Sequence, residues 1–222
     1  MVGRACCHTA PGCVVLRTRR DPDADDPARV SSGLYALKPW YADRLAGLRR
    51  RLAEHAVSPG AVTAAGVAFG ALAGLVLATV RSPLVAAVLV GVLLALRLAA
   101  ANLDGALARE TGTSTCWGAV VNELGDRAAE LAVLAGCLAL APPWLVLLAM
   151  LAASAPSWVA LAGAVAGAPR INGGPVGKTE RCLLLVVLAA VPAYAAVLLA
   201  VLAAGSAVTA GVRLRALHRS PA

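Results

Sequence analysis

The sequence predicts an all-α integral membrane protein: six transmembrane helices preceded by an interfacial amphipathic helix. Three observations carry this expectation. Of the 222 residues, 59% are hydrophobic and only 4% aromatic, with a mean hydropathy of +0.76, well outside the mixed composition of a soluble domain. Several apolar runs reach the roughly 20 residues that a helix needs to cross a hydrocarbon core, whereas a strand barrel would show short alternating segments. The net charge of +8 is gathered at the ends of those runs and in the first 55 residues, not in one basic patch interleaved with aromatic residues. That distribution argues against nucleic acid and for contact with lipid surfaces.

Residues 1–32 mix Arg, Asp, Pro and Gly without apolar periodicity or a signal-peptide core, which is expected of a disordered cytoplasmic tail. Residues 33–57 include "LYALKPWYADRLAGLRRRLAEHAV", where Trp40, Leu45, Leu48 and Leu52 recur at helical spacing among Arg44, Arg49, Arg50 and Arg51. This is the pattern of a juxtamembrane helix lying on an anionic surface. A six-helix domain over residues 58–217 follows. Ser58-Pro59-Gly60 reads as a hydroxyl cap with Pro at the first helical position, so a first span runs from Pro59 to about Val80. Arg81-Ser82-Pro83 turns the chain into a second helix reaching about Arg109. The third is expected from Cys116 to Ala141, where Pro142 and Pro143 end it, and the fourth from Trp144 to Gly167. Residues 181–212 are too long for one crossing and are broken by Pro192, giving the fifth and sixth.

Charge placement supports an even count. The tail, the loop near Arg109, the loop with Arg170, Lys178 and Arg181, and the end with Arg213, Arg215 and Arg219 fall on one side, with only Arg81 opposite. By the positive-inside rule both termini are expected in the cytoplasm of a multi-pass cell-membrane protein. Cys6, Cys7, Cys13, Cys116, Cys137 and Cys182 show no metal-ligand spacing and read as incidental.

Residues 100–130, "AANLDGALARETGTSTCWGAVVNELGDRAAE", place Asp104, Arg109, Glu110, Glu123, Asp126, Arg127 and Glu130 between two greasy stretches. Each charge at mid-bilayer costs on the order of 2.5–3.5 kcal/mol, so these side chains are expected to face a polar cavity. Gly118, Asn122, Asp126 and Glu130 recur every four residues along one stripe of the third helix, and Asp104 and Ala108 share a stripe on the second. Carboxylates gathered from neighbouring helices call for a cation. Oxygen ligands favour a hard divalent ion, Mg or Mn, which in turn attracts phosphate. Gly105 and Gly118 leave room for a bulky ligand against the helix backbone.

Asp104, Gly105, Ala108, Arg109, Gly118, Asn122 and Asp126 stand at the intervals of a known signature: Asp-Gly-x-x-Ala-Arg, eight residues, Gly, three residues, a polar position, three residues, Asp. The chain thereby resembles the CDP-alcohol phosphatidyltransferase family. The resemblance extends through the amphipathic entry helix, "SPGAVTAAG" and "GGPVGKTER". It implies an integral membrane enzyme of phospholipid biosynthesis in which an acceptor alcohol displaces CMP from a CDP-alcohol, commonly CDP-diacylglycerol, with two metal ions bridging the diphosphate. Carried onto this chain, it makes Asp126 the catalytic base and Asp104, Asn122, Asp126 and Glu123 the metal ligands. Gly105, Ala108, Arg109 and Gly118 would line the nucleotide site; Lys178, Arg181 and Arg170 would face the acceptor or its phosphate. A homodimer is implied by resemblance alone.

Two positions depart from the signature. Ala101 stands where the family has an Asp, and Asn122, which offers a carbonyl oxygen but no charge, replaces another. A site of four carboxylates becomes one built on Asp104 and Asp126, assisted by Glu123 or Asn102, and one ion or two are both open. "NELGD" resembles a bacterial branch with Asn-Glu-x-x-Asp in the third helix. The departures also admit a catalytically degenerate homologue that binds a nucleotide lipid or supports a partner protein. Intramembrane acids mark transporters too, but no inverted repeat is evident.

Other features have plainer readings. Asp104 and Asp126 could pair structurally with Arg97, Arg109 or Arg127, and Glu130 lies three positions after Arg127, within helix salt-bridge reach. "NGGPVGKT" lacks the first Gly and the preceding strand of an ATP-binding loop. Gly66, Gly70 and Gly74, four residues apart, are expected to be helix-packing contacts. His8, His55 and His218 read as surface residues.

Overall fold

The computed structural model describes residues 38–168, 171 and 173–219, with side chains from residue 44 onward. Residues 1–32, Trp40's side chain and Arg170 lie outside the described residues. Among the described residues seven α-helices run in order: α1 Lys38–Glu54, α2 Pro59–Thr79, α3 Pro83–Glu110, α4 Cys116–Gly136, α5 Pro143–Val165, α6 Lys178–Ala190 and α7 Ala195–Arg219. No strand occurs among the described residues.

Local signals set most of the boundaries. Ser58 caps α2 by accepting from the Ala61 N–H with Pro59 behind it, and Thr115 caps α4 by accepting from the Gly118 N–H at 2.9 Å, so both helices start with an orphan donor satisfied. Pro192 opens a short 3-10 turn, Pro192–Tyr194, that separates α6 from α7, because its ring and missing N–H cannot continue the preceding helix. One expected boundary moves. The third span was expected to stay α-helical to Ala141, but α4 ends at Gly136 and a tighter 3-10 turn, Cys137–Ala139, follows. The end of α4 coincides with its crossing of α2: a Cβ on Gly136 would sit 2.1 Å from the Gly74 carbonyl oxygen.

Four segments among the described residues are long and apolar enough to cross a membrane: Pro59–Thr79, Pro83–Glu110, Pro143–Val165 and Pro192–Arg219. The protein is a multi-pass, all-helical membrane protein. Of the helices after α1 outside these four segments, α4 carries Glu123, Asp126, Arg127 and Glu130, and α6 has 13 residues, about 20 Å of helix.

Buried Leu94, Val90, Val133, Leu134, Val146, Leu188, Leu199 and Leu202 form the main core, while many other Val and Leu side chains stay exposed, among them Leu84, Leu147 and Val197. α2 packs along both α3 and α4, α5 along α7, and α6 against α3. The α2–α4 contact is the tightest. Cβ atoms on Gly70 and Gly74 would lie 2.7 Å from the Ala129 oxygen and 2.2 Å from the Ala132 oxygen, so the glycines let two backbones touch, as expected of small residues at four-residue spacing. A second cluster joins Val62, Ala100, Leu103 and Leu107 to Leu45 and Leu52 of α1; Leu48 remains exposed. α1 is therefore seated on one end of α3, and Arg49 pairs with Glu110 there.

Candidate active site

Three helices converge on a narrow, open recess lined by Thr63, Gly66, Val67, Arg97, Ala101, Asp104, Gly125, Asp126 and Ala129. Its narrowness follows from sequence. Gly66 brings α2 against Ala100, with a Cβ there 3.2 Å from Ala100's, and a Cβ on Gly125 would be 2.6 Å from the Thr63 methyl. Small residues thus hold α2, α3 and α4 close enough for short side chains to meet.

Asp104 is 3% exposed. Its Oδ2 accepts from the Thr63 hydroxyl at 2.9 Å and its Oδ1 from the Gly105 N–H at 2.6 Å, with Asn122 and the Asp126 carboxylate also within interaction range. Asp126 Oδ2 accepts from Lys178 Nζ at 2.5 Å. The second and third helices thus bring Asp104 and Asp126 to one cleft, as the spacing predicts. Asn102 turns away: its amide donates to the Leu98 carbonyl at 2.7 Å.

One turn further along α4, Glu130 accepts from Arg181 Nε at 2.6 Å and from Arg127. Lys178 and Arg181 of α6 thus engage Asp126 and Glu130 of α4, in register along one stripe of each helix. α6 packs on α3 rather than closely on α4, so long charged side chains span the α4–α6 gap. Arg181 is 5% exposed and also bonds the Val176 carbonyl at 3.3 Å. Glu123 lies 3.8 Å from Arg127. The Arg109 guanidinium folds back over Gly105, where a Cβ would meet its Nη1 at 3.4 Å. Gly118 and Ala108 lie on the second- and third-helix ends nearer the intervening turn, Gly118 exposed and Ala108 half-buried.

Two polar members of the cleft were not among the expected site residues. Thr63 sits in an otherwise apolar span, and only the fold shows that it faces Asp104. Arg97 is a cation inside the apolar run of α3, and its cost in a membrane is the signal that could have singled it out. It does not pair with either carboxylate: Nη2 donates to the Asp126 backbone carbonyl at 3.1 Å and Nη1 lies 3.7 Å from the Cys182 sulfur.

The residues of the cleft that could serve a hard divalent cation are few. Asp104 and Asp126 are the carboxylates of the cleft, Asn122 can add a carbonyl oxygen, and among the described residues no group of three or more His, Cys, Asp or Glu could hold a metal. Ala101 contributes a methyl group where a second ion would need oxygen.

No family model matches the chain. The Escherichia coli (strain K12) inner membrane protein YnbA is 31% identical over 153 residues, 68% of this chain and 76% of that protein. Among solved structures, phosphatidylinositol phosphate synthase (PgsA1) of Mycobacterium tuberculosis with CDP-DAG bound is 25% identical with a TM-score of 0.63, covering 79% of this chain and 94% of that one. The same synthase in complex with manganese and citrate superposes with a TM-score of 0.64 at 24% identity, covering 79% and 89%. In apo form it gives 0.62 at 25% identity, covering 79% and 96%.

Proposed function

The chain belongs to the CDP-alcohol phosphatidyltransferase family, and on that premise we propose that it transfers the phosphatidyl group of a CDP-linked lipid, CDP-diacylglycerol, to an acceptor alcohol with release of CMP. The single observation that carries this reading is the convergence of Asp104 and Asp126, from two helices, on one recess between α2, α3 and α4. The relative solved with CDP-DAG supports the choice of donor, and the one solved with manganese supports a divalent ion.

In this reading Asp104 and Asp126, with Asn122 and a rearranged Glu123, hold a single Mg or Mn ion. When bound, the ion offsets the charge of the diphosphate and of the departing CMP. Asp126 takes the proton of the acceptor hydroxyl as that oxygen attacks phosphorus. Oδ2 is engaged by Lys178, which leaves Oδ1 as the proton acceptor. Gly105, Ala108, Gly118 and Arg109 border the nucleotide, the absent side chains giving it access to the backbone. Lys178 and Arg181 form the basic wall for the acceptor, a role the family pattern also assigns to Arg170. Arg181 acts from behind, because its guanidinium is committed to Glu130.

We extend the proposal to the membrane arrangement. Residues 58–217 form one six-span domain, α4 and α6 crossing within the shelter of the four apolar helices. Residues 33–57 form the interfacial helix, 1–32 the tail, and both termini face the cytoplasm. Exposed Trp144 and Tyr194 at one end and Trp117 at the other suit the two membrane interfaces. A homodimer is the expected assembly on the family pattern.

Purified protein given CDP-diacylglycerol, Mg or Mn and a panel of alcohols should release CMP. Absence of release with every acceptor, while a family enzyme turns over in the same assay, refutes the transferase reading. Ala101 and Asn122 favour one other outcome, a homologue that binds the nucleotide lipid without turnover. It is recognised by CDP-diacylglycerol binding that persists unchanged in chelator and by no loss of function in Asp126→Asn.

A further inference from the structure

Arg97 is 3% exposed and lines the same recess as Asp104 and Asp126. A guanidinium carries five N–H donors, yet in the protein it meets one backbone carbonyl, at 3.1 Å, and one thiol sulfur, at 3.7 Å. Its Nε is fully buried with no partner, and no carboxylate among the described residues lies within ion-pair distance of it. The acids nearby are already engaged. Asp104 takes Thr63 and the Gly105 N–H, Asp126 takes Lys178, and Glu130 takes Arg127 and Arg181. One turn along α3, Ala101 lines the same recess and offers it only a methyl group.

A buried cation without a counter-ion is destabilising, and an apolar side chain of similar volume would pack the space better. What makes such a residue useful is an anion that arrives from outside. We propose that Arg97 is a phosphate receptor at the floor of the recess, its unsatisfied N–H groups donating to a phosphoryl oxygen of the diphosphate-bearing ligand. A guanidinium suits this task because its planar donors match phosphate oxygens in pairs and it stays charged at every accessible pH. The inference deepens the CDP-lipid reading of the cleft and rests on it.

The test compares wild type with Arg97→Met and Arg97→Gln in detergent, measuring melting temperature without ligand and equilibrium binding of CDP-diacylglycerol in mixed micelles and of inorganic pyrophosphate. Expected is an unliganded melting temperature equal to or above wild type in Arg97→Met, together with binding of both ligands weakened on the order of 10- to 100-fold, the range for one charged hydrogen bond. Arg97→Met that binds CDP-diacylglycerol as tightly as wild type overturns the proposal and leaves the transferase reading standing. Both variants failing to fold, or melting lower with affinity unchanged, marks Arg97 as structural and also overturns it. Wild type that binds pyrophosphate through Arg97 but not CDP-diacylglycerol supports the receptor and refutes the lipid substrate; binding of neither refutes both.

Discussion

Replacing Glu130 should be the most damaging single change outside the cleft. Its carboxylate accepts from two guanidiniums, Arg127 and Arg181, and is 5% exposed. The two partners fare differently when it goes. Arg127 keeps Glu123 at 3.8 Å, whereas Arg181, 5% exposed, keeps only the Val176 carbonyl at 3.3 Å. Glu130→Ala therefore strands one buried charge, which costs about 3–5 kcal/mol. At about 2–4 °C per kcal/mol for a chain of this size, the melting temperature should fall by roughly 6–20 °C. Glu130→Gln keeps a neutral acceptor for Arg181 and should lose less. The double variant Glu130→Leu/Arg181→Met removes both charges and should recover to within about 1 kcal/mol of wild type, since a desolvated ion pair adds little net stability over apolar packing. The assay is a thermal melt in one detergent, run as a double-mutant cycle. A Glu130→Ala protein within about 1 kcal/mol of wild type, or a double variant no better than the single, would refute the account of this pair as a buried, mutually dependent contact.

Three further outcomes are expected. Gly74→Ala places a Cβ 2.2 Å from the Ala132 oxygen and should destabilise by about 1–3 kcal/mol, whereas Gly60→Ala, with nothing within 4 Å, should be neutral or better in the same melt. Asp126→Asn should lower CMP release by about 10²- to 10⁴-fold, the usual contribution of a general base, while CDP-diacylglycerol still binds. A titration with manganese, read by electron paramagnetic resonance, should saturate at one ion per chain and lose that ion in Asp104→Ala; two ions would contradict the donor set of the cleft.

Membrane character, helix starts and the pairing of Asp104 with Asp126 were legible in the sequence because each rests on a local rule. Apolar run length reports what can cross lipid, Ser58 and Pro59 declare a helix start, and residues on one helical stripe face one neighbour. The acids of 100–130 were legible as a site for the same reason: charge in an apolar context demands a partner. What that partner is lies beyond periodicity. Glu130 reads equally as a site residue or a helix salt bridge until α6 brings Arg181 to it, and nothing in the sequence says that the Lys178 ammonium meets Asp126.

The order of the residues alone determined that this is a helical membrane protein with two acids poised on adjacent helices, since hydropathy and the 3.6-residue turn are properties of contiguous chain. Only the tertiary structure decided which side chains answer those acids. Thr63 reaches Asp104 across 41 positions of chain and Lys178 reaches Asp126 across 52; the first contact closes because glycines such as Gly66 and Gly125 let α2 lie against α3 and α4, the second because α6 packs on α3 within a long side chain's reach of α4. The neighbours of a charge in the folded protein are set by how closely backbones approach, a property of pairs of helices that no single stretch of sequence contains.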